Sequence, residues 1–212
     1  MKHLILLLIT ANLYCQSNYH KITISLKDFN CNFRDDLKND ALVSFDLMSA
    51  VFSSKQFQDS IAVLNMSKFL CNNICDDSKC NIAIDNSDLL NKLFSNEHTT
   101  WSLIIKKKSG KLGSTIPFSD ETTAYYKNIN SDMCNLPFHI GLAVNLCHEY
   151  IHHIGYCHPK DPKDYEFRRP RNSNKCNDEK YDPKSYQDDI AYRIGWIAYD
   201  IVLEWYKKGI IK

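Results

Sequence analysis

Between Lys21 and Phe29, the apolar residues Ile22, Ile24 and Leu26 alternate with polar ones. A period of two predicts a half-buried strand. The period then changes. From Arg34 to Ser54, Leu37, Ala41, Leu42, Phe45, Leu47, Met48 and Val51 recur mostly at helical spacing, which predicts a long helix. Ser60 to Met66 reads as a second strand, Asp88 to Phe94 as a short helix and Trp101 to Lys106 as a third strand. Thr115 to Phe118 and Thr123 to Ile129 are weaker strand candidates. From Leu136 to Ile154, Ile140, Ala143, Val144, Cys147, Ile151 and Ile154 again fall at helical spacing. Pro137 suits a first turn there, and Asn135 is placed to cap it. Gln187 to Lys207 predicts a closing helix, with Ile190, Ile194, Ile197, Ile201 and Trp205 along one side.

Two stretches depart from this patterning. Pro159 to Pro183 is polar and rich in Pro, Asp, Lys, Arg and Asn, so a long loop is expected, held mainly by Cys176. Arg168, Arg169 and Arg171 within it read as a solvated stretch, with selection of acidic substrates as the alternative. At the other end, Lys2 and His3 precede an apolar run from Leu4 to Ala11. That run is too short to span a bilayer as a helix. Residues 1–17 read as a secretory signal, with small residues at Cys15 and Ser17 ahead of the cleavage point. Lipid attachment at Cys15 is the second reading. Residues 18–212 then form one domain, secreted or periplasmic.

Export changes the meaning of the cysteines. Of the 9 in the chain, loss of Cys15 leaves eight: 31, 71, 75, 80, 134, 147, 157 and 176. An even set in an exported protein supports up to four disulfides. The spacing of Cys71, Cys75 and Cys80 matches no strong zinc pattern. Cys147 and Cys157 are placed to staple the helix between them and its neighbours. Formal net charge is +1. Charge near zero gives no basic field for nucleic acid or for an anionic membrane. Lys106-Lys107-Lys108 reads as a solvated strand end. Asn65-Met66-Ser67 is a glycosylation sequon.

The chemistry is concentrated in His148-Glu149-Tyr150-Ile151-His152-His153-Ile154-Gly155-Tyr156-Cys157-His158, which reads H-E-x-x-H-x-x-G-x-x-H. Histidines four apart share one helix face, one turn apart, and so place two imidazoles to grip one metal ion. Glu149 sits beside the first and reaches a water at the metal without being a ligand. Gly155 lets the chain leave the helix sharply, and His158 returns as a third ligand. Three protein ligands leave a fourth position open, as catalytic zinc requires. His153 points about 140° away from His148, so its role reads as structural or surface.

The eleven-residue motif resembles that of the metzincins, zinc-dependent endopeptidases whose third ligand is a histidine after a glycine turn. Pro159 after His158 is similar to the serralysin branch. The resemblance implies an α+β fold: a two-lobed zinc protease domain with a small mixed sheet and long helices. The upper lobe would take residues 18–155 and the lower 156–212. It further implies Zn2+ held by His148, His152 and His158, with Glu149 as general base, acting on a protein or peptide substrate. The substrate would lie extended along an edge strand between Lys111 and Ile129. The family also places a methionine in a tight turn beneath the zinc, usually as Met-x-Tyr. Met1, Met48, Met66 and Met133 all precede the motif. The substitute is Asp189-Ile190-Ala191-Tyr192, with Ile190 as the apolar floor and Tyr192 near the metal or the transition-state oxyanion. Two alternatives stay open. An acidic third ligand, from Asp188, Asp189 or Glu166, would resemble the aspzincins or gluzincins. An exported, disulfide-rich zinc-binding protein without catalysis is the other.

Overall fold

The computed structural model describes residues 19–64, 86–133, 136–158 and 189–212. The expected signal at 1–17, the sequon, the Cys71–Cys80 cluster, the loop at 159–183, Asn135, Glu166 and Asp188 lie outside them. The described chain is a mixed α/β structure with one four-stranded sheet and six helices.

The alternating segment forms β1, Thr23–Cys31, and the Trp101 segment forms β2, His98–Lys106. Two shorter strands follow: β3, Gly113–Thr115, and β4, Glu121–Tyr125. The sheet order is β1-β2-β4-β3. β1, β2 and β4 run parallel, with Ile24 opposite Thr99 and Ile104 opposite Thr123. β3 runs antiparallel to β4 at the edge, with Ser114 opposite Thr123. The sheet is therefore mixed, as expected.

The long helix is α1, Leu37–Ser53. It packs on β1 and also bonds to it. Ile22 N–H donates to Ser53 Oγ at 3.0 Å and Ile24 N–H to Ser49 Oγ at 2.9 Å. Helix hydroxyls thus satisfy strand amides that have no partner strand. The core between sheet and helices holds a chain of aromatic contacts. Trp101 meets Phe45 at 6.3 Å and Tyr150 at 5.6 Å, and Tyr150 meets Phe52 at 5.7 Å. Such rings contribute most of the buried area per residue.

Three expectations are corrected. Ser60 to Ala62 is not strand but the end of α2, Lys55–Ala62. Ser54 Oγ caps that helix by accepting from Phe57 N–H, and Phe57 and Ile61, four apart, are its buried face. Next comes α3, Asn86–Leu93, close to its expected place. The strand expected over Thr123 to Ile129 ends at Tyr125, and Tyr126–Asp132 is helix α4, whose Ile129 is fully buried. Of Thr115 to Phe118 only Thr115 is strand. Ser119 N–H closes a turn on the Ile116 carbonyl at 2.9 Å, and Pro117 within it donates nothing to a ladder.

The motif-bearing helix is α5, Phe138–His153, and the closing helix is α6, Ile190–Lys207. α6 begins three residues later than expected because Asp189 caps it: its Oδ1 accepts from Ala191 N–H at 2.9 Å and Tyr192 N–H at 3.3 Å. Ile190, Ile194, Ile197 and Ile201 are among its buried residues, as their spacing predicted. No described helix is long and apolar enough to cross a membrane. The cysteines need correction too. Cys31 and Cys147 are free thiols, which removes the expected staple at Cys147 and limits the eight to three bridges. Cys147 is spent on packing: it is fully buried on α5, and burial pushes its thiol pKa far up. Cys157 is disulfide-bonded.

Candidate metal centre

α5 ends in a reversal that shapes the site. Gly155 has φ +100°, a conformation that L side chains rarely adopt. Its N–H bonds the His152 carbonyl at 2.9 Å, and Tyr156 N–H bonds the Ile151 carbonyl at 3.1 Å. This pair of bonds is a Schellman closure, sealed by the fully buried Tyr156 and Ile151. It folds the chain back over the last turn of α5. The Tyr156 carbonyl then lies 2.6 Å from His152 Nδ1, and His158 comes to face the helix it left.

The three motif histidines are brought together. Their ligand atoms all lie within 4.8 Å of one another. His152 Nε2 and His158 Nε2 are 3.1 Å apart. Two nitrogens on a tetrahedral zinc at about 2.0–2.1 Å would stand about 3.3 Å apart, so this spacing suits the metal. The other edge of each ring is held. His158 Nδ1 lies 2.6 Å from Asp189 Oδ2, His152 Nδ1 bonds the Tyr156 carbonyl, and His148 bonds the Ala191 backbone. Such partners on the far side of a ring orient it toward a metal. Burial, and then the neighbouring histidines, depress the pKa of His148 well below the ordinary value. Burial likewise brings His152 down to about 4. Both rings are therefore neutral at pH 7, the state that binds a metal. The donor set and its spacing fit a zinc ion.

Glu149 lies beside this triad and is 3% exposed. Burial pushes its pKa up to about 7, against the lowering effects of the Thr115 hydroxyl, His158 and Lys111. The Thr115 backbone amide also meets the carboxyl, which joins α5 to the edge strand β3. Glu149 Oε2 and Asn145 Nδ2 are buried without a hydrogen-bond partner among the described residues. The close approach of β3 depends on Gly113. A Cβ there would sit 2.3 Å from Glu149 Oε1 and 2.6 Å from Asn145 Nδ2.

α6 closes the other side. Tyr192 meets His148 at 4.7 Å between ring centroids and stacks on His158 at 5.1 Å. From α6, Ala191, Tyr192 and Gly195 meet the imidazoles, and a Cβ at Gly195 would lie 3.3 Å from His148 Cβ. Ile190 is buried in the core at the helix start. Tyr192 therefore sits in the first helical turn of α6, within the closing helix expected from Gln187 to Lys207. Asp189, a candidate third ligand, lies behind His158 with Oδ2 on the ring and Oδ1 on the helix amides. His153 stays out of the triad: its Nδ1 lies 2.7 Å from the Ser119 carbonyl, and its ring packs on Trp101 at 5.5 Å.

Gly113, Thr115, Asn145 and Gly195 gave no signal in the sequence, and Asp189 gave one for a different role. Their importance comes from contacts between distant segments. Comparison with known protein families, with curated proteins and with solved structures finds no match.

Proposed function

We propose that this chain is a zinc-dependent endopeptidase of metzincin type, with an isoleucine-containing helix start in place of the methionine turn. One observation carries the reading: three histidines bring their ligand nitrogens within 4.8 Å of one another, each ring held by a further hydrogen bond, with a buried carboxyl of raised pKa beside them. Zinc bound there would act as a Lewis acid on the scissile carbonyl and on the attacking water. His148, His152 and His158 would hold it. Glu149 takes the water's proton through its unpartnered Oε2 and passes it to the leaving amine. Burial, which raises the pKa of this carboxyl, favours both taking and giving up the proton. Thr115 and Gly113 hold the carboxyl against β3. Tyr192, flat on His158, offers a hydroxyl near the developing oxyanion.

The substrate is a peptide lying extended beside β3, at the sheet edge next to Glu149. The disulfide at Cys157 agrees with an exported protein. The placement of Asp189 behind His158 weighs against an acidic third ligand drawn from that residue. The test is proteolysis of an unfolded protein substrate by the purified chain, with and without chelator. Cleavage that stops in chelator and returns with zinc supports the proposal. Stoichiometric zinc binding with no cleavage of any substrate favours the idle binding protein.

A further inference from the structure

The turn after β3 carries a conformation that packing alone does not explain. Ile116-Pro117-Phe118-Ser119 closes through Ser119 N–H on the Ile116 carbonyl, with Pro117 second and Phe118 third. Phe118 has φ 62°, and it is the non-glycine residue with positive φ among those described. The third position of such a turn suits glycine or asparagine, and a bulky residue there is strained. The turn is nevertheless pinned. The Ser119 carbonyl accepts from Trp101 Nε1 at 3.1 Å and meets His153 Nδ1 at 2.7 Å. The pinned backbone holds the Phe118 ring on Gly155, where a Cβ would come within 2.4 Å of the ring.

Burial does not repay this strain, because Phe118 is 55% exposed and Ile116 beside it is 76% exposed. Two largely exposed apolar side chains thus follow the edge strand, one of them lying on the glycine turn of the candidate metal centre. Strain held at an exposed aromatic beside a reactive site is a mark of function. We propose that Ile116 and Phe118 form an apolar subsite for a bulky aliphatic or aromatic side chain of the peptide substrate. The chain then selects peptides that are apolar at the residue passing the end of β3. This inference rests on the peptidase reading and adds a substrate preference to it. The strand presents the peptide backbone, and the turn continuing from it reads one side chain.

The test uses the full chain loaded with zinc and fluorogenic peptides in pairs, leucine or phenylalanine against serine at each position in turn. At one position the wild type should prefer the apolar member. Phe118→Gly should lower kcat/KM for that peptide about ten-fold, the effect of losing one good apolar contact, and leave its serine partner within about two-fold. Because glycine accepts the positive φ, Tm should stay level or rise. Ile116→Ser, outside the strained position, should erode the same preference. An equal loss on both members of the pair, or an unchanged preference, overturns the subsite. If the wild type cleaves no peptide, the peptidase reading fails, and the subsite is then judged by anisotropy of the same labelled peptides on the zinc-loaded chain. Phe118-dependent binding of the apolar member supports it, and equal binding of both members overturns it.

Discussion

Asp189 holds His158 from behind: Oδ2 of the carboxylate lies 2.6 Å from Nδ1 of the imidazole, while Oδ1 caps helix α6. One buried side chain thus ties the third motif histidine to the helix that closes the site. The two duties separate by substitution. Asparagine retains a cap oxygen but loses the charge that orients the ring. Asp189→Asn should leave urea stability nearly unchanged and weaken zinc binding about 10–100-fold, measured by competition with a chromogenic chelator. Asp189→Ala should lose about 1 kcal/mol of stability as well.

The motif histidines should divide three to one. Alanine at His148, His152 or His158 should abolish stoichiometric zinc in the purified protein, read by atomic absorption. Alanine at His153 should keep the zinc and cost about 1–3 kcal/mol in denaturation, since the Ser119 carbonyl and the Trp101 face both lose a contact. Zinc loss in the His153 variant would contradict the geometry.

Glu149→Gln should keep zinc and lower kcat about 10²–10⁴-fold. Stability offers an independent reading in chelator, where no metal interferes. The folded pKa of about 7 lies above the ordinary carboxyl value of 4.5. Between those values the folded state holds a proton that the unfolded state has lost. Glu149 therefore destabilises the fold increasingly as pH rises to about 7, and the effect levels off above it. Between pH 5.5 and 8 the glutamine variant should gain about 2 kcal/mol relative to wild type, seen in paired urea titrations. A constant gap would show that the carboxyl is not held as described.

The activity of the zinc-loaded wild type should fall on acidification, as Glu149 takes a proton and ceases to act as a base, at a pH below the metal-free value of about 7 because the adjacent cation favours the carboxylate. Its kcat/KM profile should show one acid limb.

Gly113→Ala should damage catalysis without touching a ligand. The new methyl would overlap the Glu149 carboxyl and displace it from its place beside Thr115. Zinc content should remain, kcat should drop at least ten-fold, and a serine at 113 should do no better. Full activity would mean that β3 moves freely relative to α5.

Some of this protein was determined by local sequence. The spacing of His148, His152 and His158 around Gly155 specifies a helix face, a reversal and a return, because each follows from helical geometry and one permissive residue. The period of apolar residues likewise specified β1, β2, α1, α5 and α6. It failed where tertiary contacts outweighed local preference. β-branched Ile61 went into a helix capped by Ser54, and Ile129 went into α4 to bury its side chain. Cys147 went into the core as a free thiol. The tertiary structure alone decided which groups surround the histidines. Asp189, Tyr192 and Gly195 reach them across 31 residues or more from His158, and Gly113 and Thr115 reach Glu149 from a strand far upstream. A sequence motif records ligands that one helix and one turn bring together. The groups that hold those histidines and bury the Glu149 carboxyl come from other elements, and only packing brings them into place.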